Sequence, residues 1–236
     1  MFDFKDSAVL VIGGSSGVGL ATAMLLDRQG AKVTIASRNL EKLEAARQQL
    51  SNGARYLQLD ITDTEQLRAL TDGPSWDHVV ISAADTPMGS ITTLLDDQAR
   101  RAMDSKFWGA YNAAKYIPVH AQGSITFVAG YLSVRPGKAS ALQSAINSAL
   151  EALGRALALE LAPVRVNTLS PGLLDTELWD GLSEEKRTAM FDTAASRLPV
   201  GRVGLPSDVA KAVCFLLDNG YMSGSTVYVE GGGRIA

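Results

Sequence analysis

Short, largely apolar runs rich in β-branched residues recur along the chain, at 8–12, 32–36, 55–59, 78–82, 124–128, 164–169 and 226–229. Runs of this kind predict strands buried on both faces. Between them lie longer stretches whose apolar residues follow a helical period, such as Leu40, Leu43, Ala46 and Leu50. The longest helical segments are predicted at 93–117 and 140–161, and Thr62 with Glu65 (TDTE) fits a capping box opening another helix. Seven strands alternating with helices predict an α/β protein with a parallel sheet covered on both sides. Glycine and proline fall in the connections, and there is no repeat, low-complexity tract or linker-like segment. Residues 1–236 read as one domain.

Composition narrows the chemistry. Apolar residues make up 46% and charged residues 20% of 236 positions, an ordinary globular balance. A net charge of −3 gives nucleic acid no favourable field. Cys214 is the one cysteine, which excludes an internal disulfide and a cysteine-rich zinc site. His78 and His120 are too few and too far apart in sequence to suggest a metal cluster, so no metal is expected. No apolar run approaches the ~18 residues of a membrane span, and the opening MFDFK lacks the basic start of a secretory signal. A cytoplasmic protein that does not enter membranes is the expectation.

The first predicted strand runs into Gly13-Gly14-Ser15-Ser16-Gly17-Val18-Gly19, with a helical stretch following at 20–29. Glycines at 13, 17 and 19 allow a tight turn and a close approach to a pyrophosphate, which the helix N-terminus attracts through its free N–H groups. The second strand ends about 20 residues on, at Ala36-Ser37-Arg38. A site for NAD usually places a carboxylate there for the ribose 2′-hydroxyl. Here a guanidinium arrives instead, suited to a 2′-phosphate. A structural turn and a solvated arginine are the plainer readings of these residues. The strand–loop–helix order favours a dinucleotide, with NADP(H) preferred over NAD(H).

These residues resemble the short-chain dehydrogenase/reductase family over nearly the whole chain. Gly13, Gly17 and Gly19 match its glycine pattern, and Asp60-Ile61 its adenine-contacting pair. Ile81-Ser82-Ala83-Ala84 stands where the family has Asn-Asn-Ala-Gly, so that Ala83 and Ala84 would pack on the cofactor without asparagine amides. Asn167 with Pro171-Gly172 matches the segment after the sixth strand, and Thr176 the threonine at the nicotinamide carboxamide. The segment 201–210 and the terminal Val229-Glu230-Gly231-Gly232 match the family's last third. The resemblance implies a Rossmann-type, doubly wound, seven-stranded parallel sheet, a small-molecule substrate or ligand, and assembly as a homodimer or homotetramer.

At the reaction centre the likeness breaks. In the family a tyrosine exchanges the proton, a lysine one helical turn later tunes it and holds the nicotinamide ribose, a serine orients the substrate and an asparagine holds a relay water. At family spacing these positions fall on Gln143, Asn147, Gly130 and Lys106. Gln143 can donate a hydrogen bond but cannot release a proton, and Asn147 can bond ribose hydroxyls without charge. The exchange of asparagine for Lys106 and of lysine for Asn147 is reciprocal, and Lys106 could return an ammonium to the pocket through room left by Gly130; drift of a disused site is the plainer reading. Tyr111 and Lys115 mimic the Tyr-x-x-x-Lys motif before the fifth strand, where packing and solvation account for them. Tyr131, Ser133, Arg135, Lys138 and Asp85 are further candidate donors, though a substrate-rim or solvent role is the plainer reading of each. The segment 183–197 falls where the family carries a substrate lid, with Met190 and Phe191, flanked by Leu182 and Leu198, as apolar closing residues or simple packing.

Two readings lead, ahead of a third in which the cofactor site is vestigial and the protein binds a different ligand in the same cleft. One is an NADP(H)-dependent oxidoreductase that moves a hydride to or from a carbonyl, an alcohol or an activated acceptor through an atypical proton relay. The other is a non-catalytic NADP(H)-binding regulatory or scaffold protein.

Overall fold

The computed structural model describes residues 2–51 and 53–236. Its seven apolar runs form strands β1 (Ala8–Ile12), β2 (Lys32–Ser37), β3 (Arg55–Gln58), β4 (Trp76–Ile81), β5 (Val119–Val128), β6 (Arg165–Pro171) and β7 (Thr226–Val229). All pair in parallel in the order β3-β2-β1-β4-β5-β6-β7. The helices between them are α1 (Gly17–Arg28), α2 (Leu40–Arg47), α3 (Thr64–Arg68), α4 (Asp96–Met103), α5 (Gly109–Tyr116), α6 (Ala141–Glu160), α7 (Glu184–Ala195) and α8 (Pro206–Asp218).

Strand periodicity of two divides the core. Val9 and Val11 pack with Leu26 of α1, Leu43 of α2 and Val213 of α8 on one side of the sheet. Leu10 and Ile12 face the other side, with Leu67 of α3, Ala113 of α5 and Leu150 of α6. Each fully buried aliphatic side chain contributes about 1.5–3 kcal/mol, so the continuous apolar runs of the sequence are explained by a sheet covered twice. This is the doubly wound α/β architecture expected from the pattern. No helix among the described residues is long and apolar enough to cross a membrane.

Two local expectations are corrected. The capping box is not at Thr62, because both its N–H and its hydroxyl are given to Asp60 Oδ1, at 2.9 and 2.8 Å. Asp63 caps α3 instead, accepting from the N–H groups of Glu65 and Gln66. The helix predicted over 93–117 starts later, at Asp96, and a π-helical turn over Asp104–Trp108 interrupts it. Such wide turns insert a residue into a helix and re-aim its side chains, often at functional sites. Here the turn carries Ser105 and Lys106.

Candidate active site

The strand order reverses at β1, and ligands of open α/β sheets bind outside the carboxyl ends of the strands at such a point. A cleft of about 940 Å³ lies there. Every residue anticipated for the cofactor or the reaction centre lines it: the loop from Gly13 through Ser15, Ser16, Gly17, Val18 and Gly19; Ser37 and Arg38; Asp60 and Ile61; Ala83 and Ala84; Lys106, Gly130, Gln143 and Asn147; and Pro171, Gly172 and Thr176.

The glycine loop is built by close contact. A Cβ on Gly19 would lie 2.1 Å from the Gly13 carbonyl oxygen, so no other residue fits without moving the loop. Gly17 opens α1 at φ +52°, in the left-handed region. The Ser16 side chain makes no capping bond. The Gly17 N–H donates instead to Glu177 Oε2 at 3.2 Å, from the short helical turn Glu177–Trp179. A carboxylate therefore sits on the helix terminus as a stand-in for an anionic ligand.

At the far wall, Arg38 leaves the end of β2 and pairs with Asp85, Nη2 to Oδ2 at 3.1 Å. Asp85 belongs to the segment after β4, and Ser105 Oγ fixes its backbone by accepting from its N–H at 3.0 Å and donating to its carbonyl at 3.1 Å. Two residues on, the Pro87 carbonyl accepts from Gln143 Nε2. The post-β4 segment is thus stapled across the cleft by three side chains.

The reaction-centre positions come together on three elements. Gln143 and Asn147 are one turn apart on α6, 6% and 3% exposed, and their carbonyl oxygens Oε1 and Oδ1 are buried without a partner. Lys106 Nζ donates to the Ala129 carbonyl at 2.8 Å. Burial pushes its pKa from 10.5 down to about 8, and no salt bridge among the described residues involves it. The nearest neighbour of Gly130 is Asn147. A Cβ there would meet Asn147 Nδ2 at 2.8 Å, so the missing side chain accommodates the Asn147 amide.

The other candidates scatter. Tyr131 lines the cleft, and Asp85 does so while paired with Arg38. Ser133 gives its hydroxyl to Glu151 and Arg135 donates to the Ala236 carbonyl. Tyr111 packs edge-on against Trp108, and the Lys115 amine sits 5.1 Å over the Tyr116 ring. Neither of this imitation pair is part of the cleft wall, nor is Lys138. Helix α7 falls within the predicted lid and has no buried residue. Its Met190 faces the cleft, whereas Leu182 and Phe191 line a separate surface hollow beside Arg187, which bridges Asp175 and Asp180.

Sequence reasoning missed Glu177 and Glu151. The latter is 6% exposed on the Gln143–Asn147 face of α6 and accepts from the hydroxyls of Ser133, Ser170 and Tyr228 at 2.5, 2.7 and 3.0 Å. It ties the loop after β5, which carries Gly130 and Tyr131, to β6 and β7. Its signal was one acid at helical spacing from two amides.

A family model described as enoyl-(acyl carrier protein) reductase matches residues 13–233. The chain is similar to short-chain dehydrogenase/reductase ATR9 of Stachybotrys chlorohalonatus, with 33% identity and 97% of each chain covered. It is similar to a small-chain dehydrogenase solved in complex with NADPH, with 36% identity, a TM-score of 0.85, and 98% of this chain and 100% of that one covered. It is also similar to the MalC reductase/Diels-Alderase of Malbranchea aurantiaca, with 25% identity, a TM-score of 0.87, and 99% and 97% covered.

Proposed function

The chain belongs to the short-chain dehydrogenase/reductase family of oxidoreductases, and from that premise we propose that it binds NADP(H) in the cleft and works with an atypical proton relay. The residues present fit the cofactor. The Glu177 carboxylate on the Gly17 N–H marks an anion seat, and the orphaned oxygens of Gln143 and Asn147 await donors such as ribose hydroxyls. Gly13, Ser15, Ser16, Gly17, Val18 and Gly19 would hold the pyrophosphate, and Ser37 and Arg38 the 2′-phosphate. Asp60, Ile61, Ala83 and Ala84 would hold the adenosine, and Asn147, Pro171, Gly172 and Thr176 the nicotinamide end. NADPH in the 36%-identical neighbour supports use of that cofactor. When bound, it supplies or accepts a hydride.

What this chain adds is its own. At neutral pH the Lys106 amine is an ammonium with one N–H given to Ala129 and two more to offer. It can stabilise negative charge forming on a substrate oxygen and surrender a proton to it. Gln143 orients but holds its proton, so turnover through this relay relies on Lys106 or on an acceptor that needs no acid. Carbonyls, alcohols and activated acceptors form the substrate class. The observation that carries the reading is the Lys106 amine in the cleft wall, which joins no salt bridge among the described residues. A homodimer or homotetramer is part of the proposal, supported by the half-exposed Trp108 and the exposed Leu159 on the helices before and after β5.

A second reading has one observation in its favour. Gln143 gives its amide to Pro87 of its own chain, as suits a non-catalytic NADP(H)-binding regulatory or scaffold protein. Fluorescence titration with NADPH and NADH, followed by NADPH absorbance against ketones, quinones and imines, separates the two. Oxidation by a panel member supports the enzyme, and Lys106→Met should then slow it by about 10²-fold or more with cofactor affinity kept. Binding without any oxidation supports the silent protein, and absence of binding overturns both. Arg38→Asp should exchange NADPH affinity for NADH affinity.

A further inference from the structure

The end of β2 lacks the carboxylate that would greet a ribose 2′-hydroxyl, yet a carboxylate reaches the same place from the opposite wall. Asp85 lies 3.1 Å from the Arg38 guanidinium, and both residues line the cleft. Their side chains are more than half exposed, at 60% and 55%, and a loose surface pair of that kind contributes little. This pair is not loosely held. Ser105 clamps the Asp85 backbone on both sides, and the Arg38 carbonyl accepts from Gln58 Nε2 at 3.1 Å. Two fixed backbones therefore aim opposite charges at one point of the cofactor wall.

We propose that Asp85 is a specificity-determining residue for the dinucleotide: its carboxylate accepts from a ribose 2′-hydroxyl and competes with a 2′-phosphate for Arg38. The inference rests on the NADP(H) reading of the cleft. A 2′-phosphate takes Arg38 best through two parallel N–H bonds, and Asp85 already occupies Nη2. That contact takes one of the five guanidinium N–H groups, so a phosphate either displaces the carboxylate or shares the guanidinium with it, and in both cases sits beside a like charge. A 2′-hydroxyl meets no such opposition, since it donates to the carboxylate and leaves the ion pair in place. The site accepts both cofactors, and its preference for the phosphorylated one is narrower than Arg38 alone would set. The aspartate supplies from the post-β4 segment what β2 does not.

The test is the ratio of NADPH to NADH affinity, measured by fluorescence titration on the full chain and its variants. Asp85→Asn keeps the size and the Ser105 clamp while removing the charge. It should tighten NADPH and weaken NADH, raising the ratio about tenfold through two modest electrostatic changes of opposite sign. Asp85→Glu should stay within about threefold of the parent ratio, because the charge remains. An Asp85→Asn ratio unchanged within about twofold, or lowered, overturns the inference while leaving NADP(H) binding intact. If neither parent nor variants bind either nucleotide, the reading of the cleft fails and this inference with it.

Discussion

Replacing Lys106 with methionine makes stability report on a partly buried charge. The amine is pushed from 10.5 down to about 8 by burial, which corresponds to about 3 kcal/mol against the folded state. The whole of that cost applies below about pH 8, where folded and unfolded chains both carry the proton. Between about 8 and 10.5 the folded chain releases its proton while the unfolded chain keeps it, and the cost fades as pH rises. Methionine removes it at every pH. It also removes the donor to the Ala129 carbonyl, a loss of about 1 kcal/mol that does not depend on pH. Lys106→Met should therefore be more stable than the parent by about 2 kcal/mol near pH 7 and about equal to it near pH 9.5. For a chain of this length that gain raises the melting temperature by about 4–8 °C. Urea denaturation of both proteins at the two pH values provides the assay, and the difference between them cancels groups that titrate alike. A stability gap that is the same at both pH values, or a variant clearly weaker at neutral pH, would refute the reasoning.

Other outcomes follow from the same contacts. Glu177→Gln removes a negative charge from the N-terminus of α1 and should tighten NADPH about two- to fivefold, the gain shrinking in high salt; weaker binding in titration would contradict the stand-in role. Gly19→Ala places a carbon 2.1 Å from the Gly13 carbonyl and should abolish dinucleotide binding by deforming the loop, which equilibrium titration of the folded variant checks. Glu151→Gln puts a donor group among three hydroxyl donors and should cost about 1–3 kcal/mol, measured by denaturant midpoint; a neutral effect would show that the network does not hold the loop after β5.

The strands were legible because a doubly covered sheet writes itself as continuous apolar runs, and the glycine loop because Gly13, Gly17 and Gly19 each meet a steric need. Arg38 was legible from its place at the end of β2. Its partner Asp85, 47 residues away, was not, because the pairing depends on the path taken by the post-β4 segment. The fit between Gly130 and Asn147 was hidden for a similar reason: the two residues are 17 apart in sequence and meet only once the loop after β5 packs on α6. The π-helical turn left no mark in the hydrophobic period, and Thr62 imitated a cap because its hydroxyl had a nearer acceptor in Asp60. Glu151 could have been found. A lone acid one turn beyond Gln143 and Asn147 on an apolar face needs buried donors, and three hydroxyls supply them.

A crystal structure with NADPH bound tests the central claim most directly. The nicotinamide ring is expected against Gln143 and Asn147, with the Lys106 amine as the proton source nearest its reactive face. A tyrosine hydroxyl beside the ring, bonded to a lysine amine, would contradict it and restore an ordinary reductase.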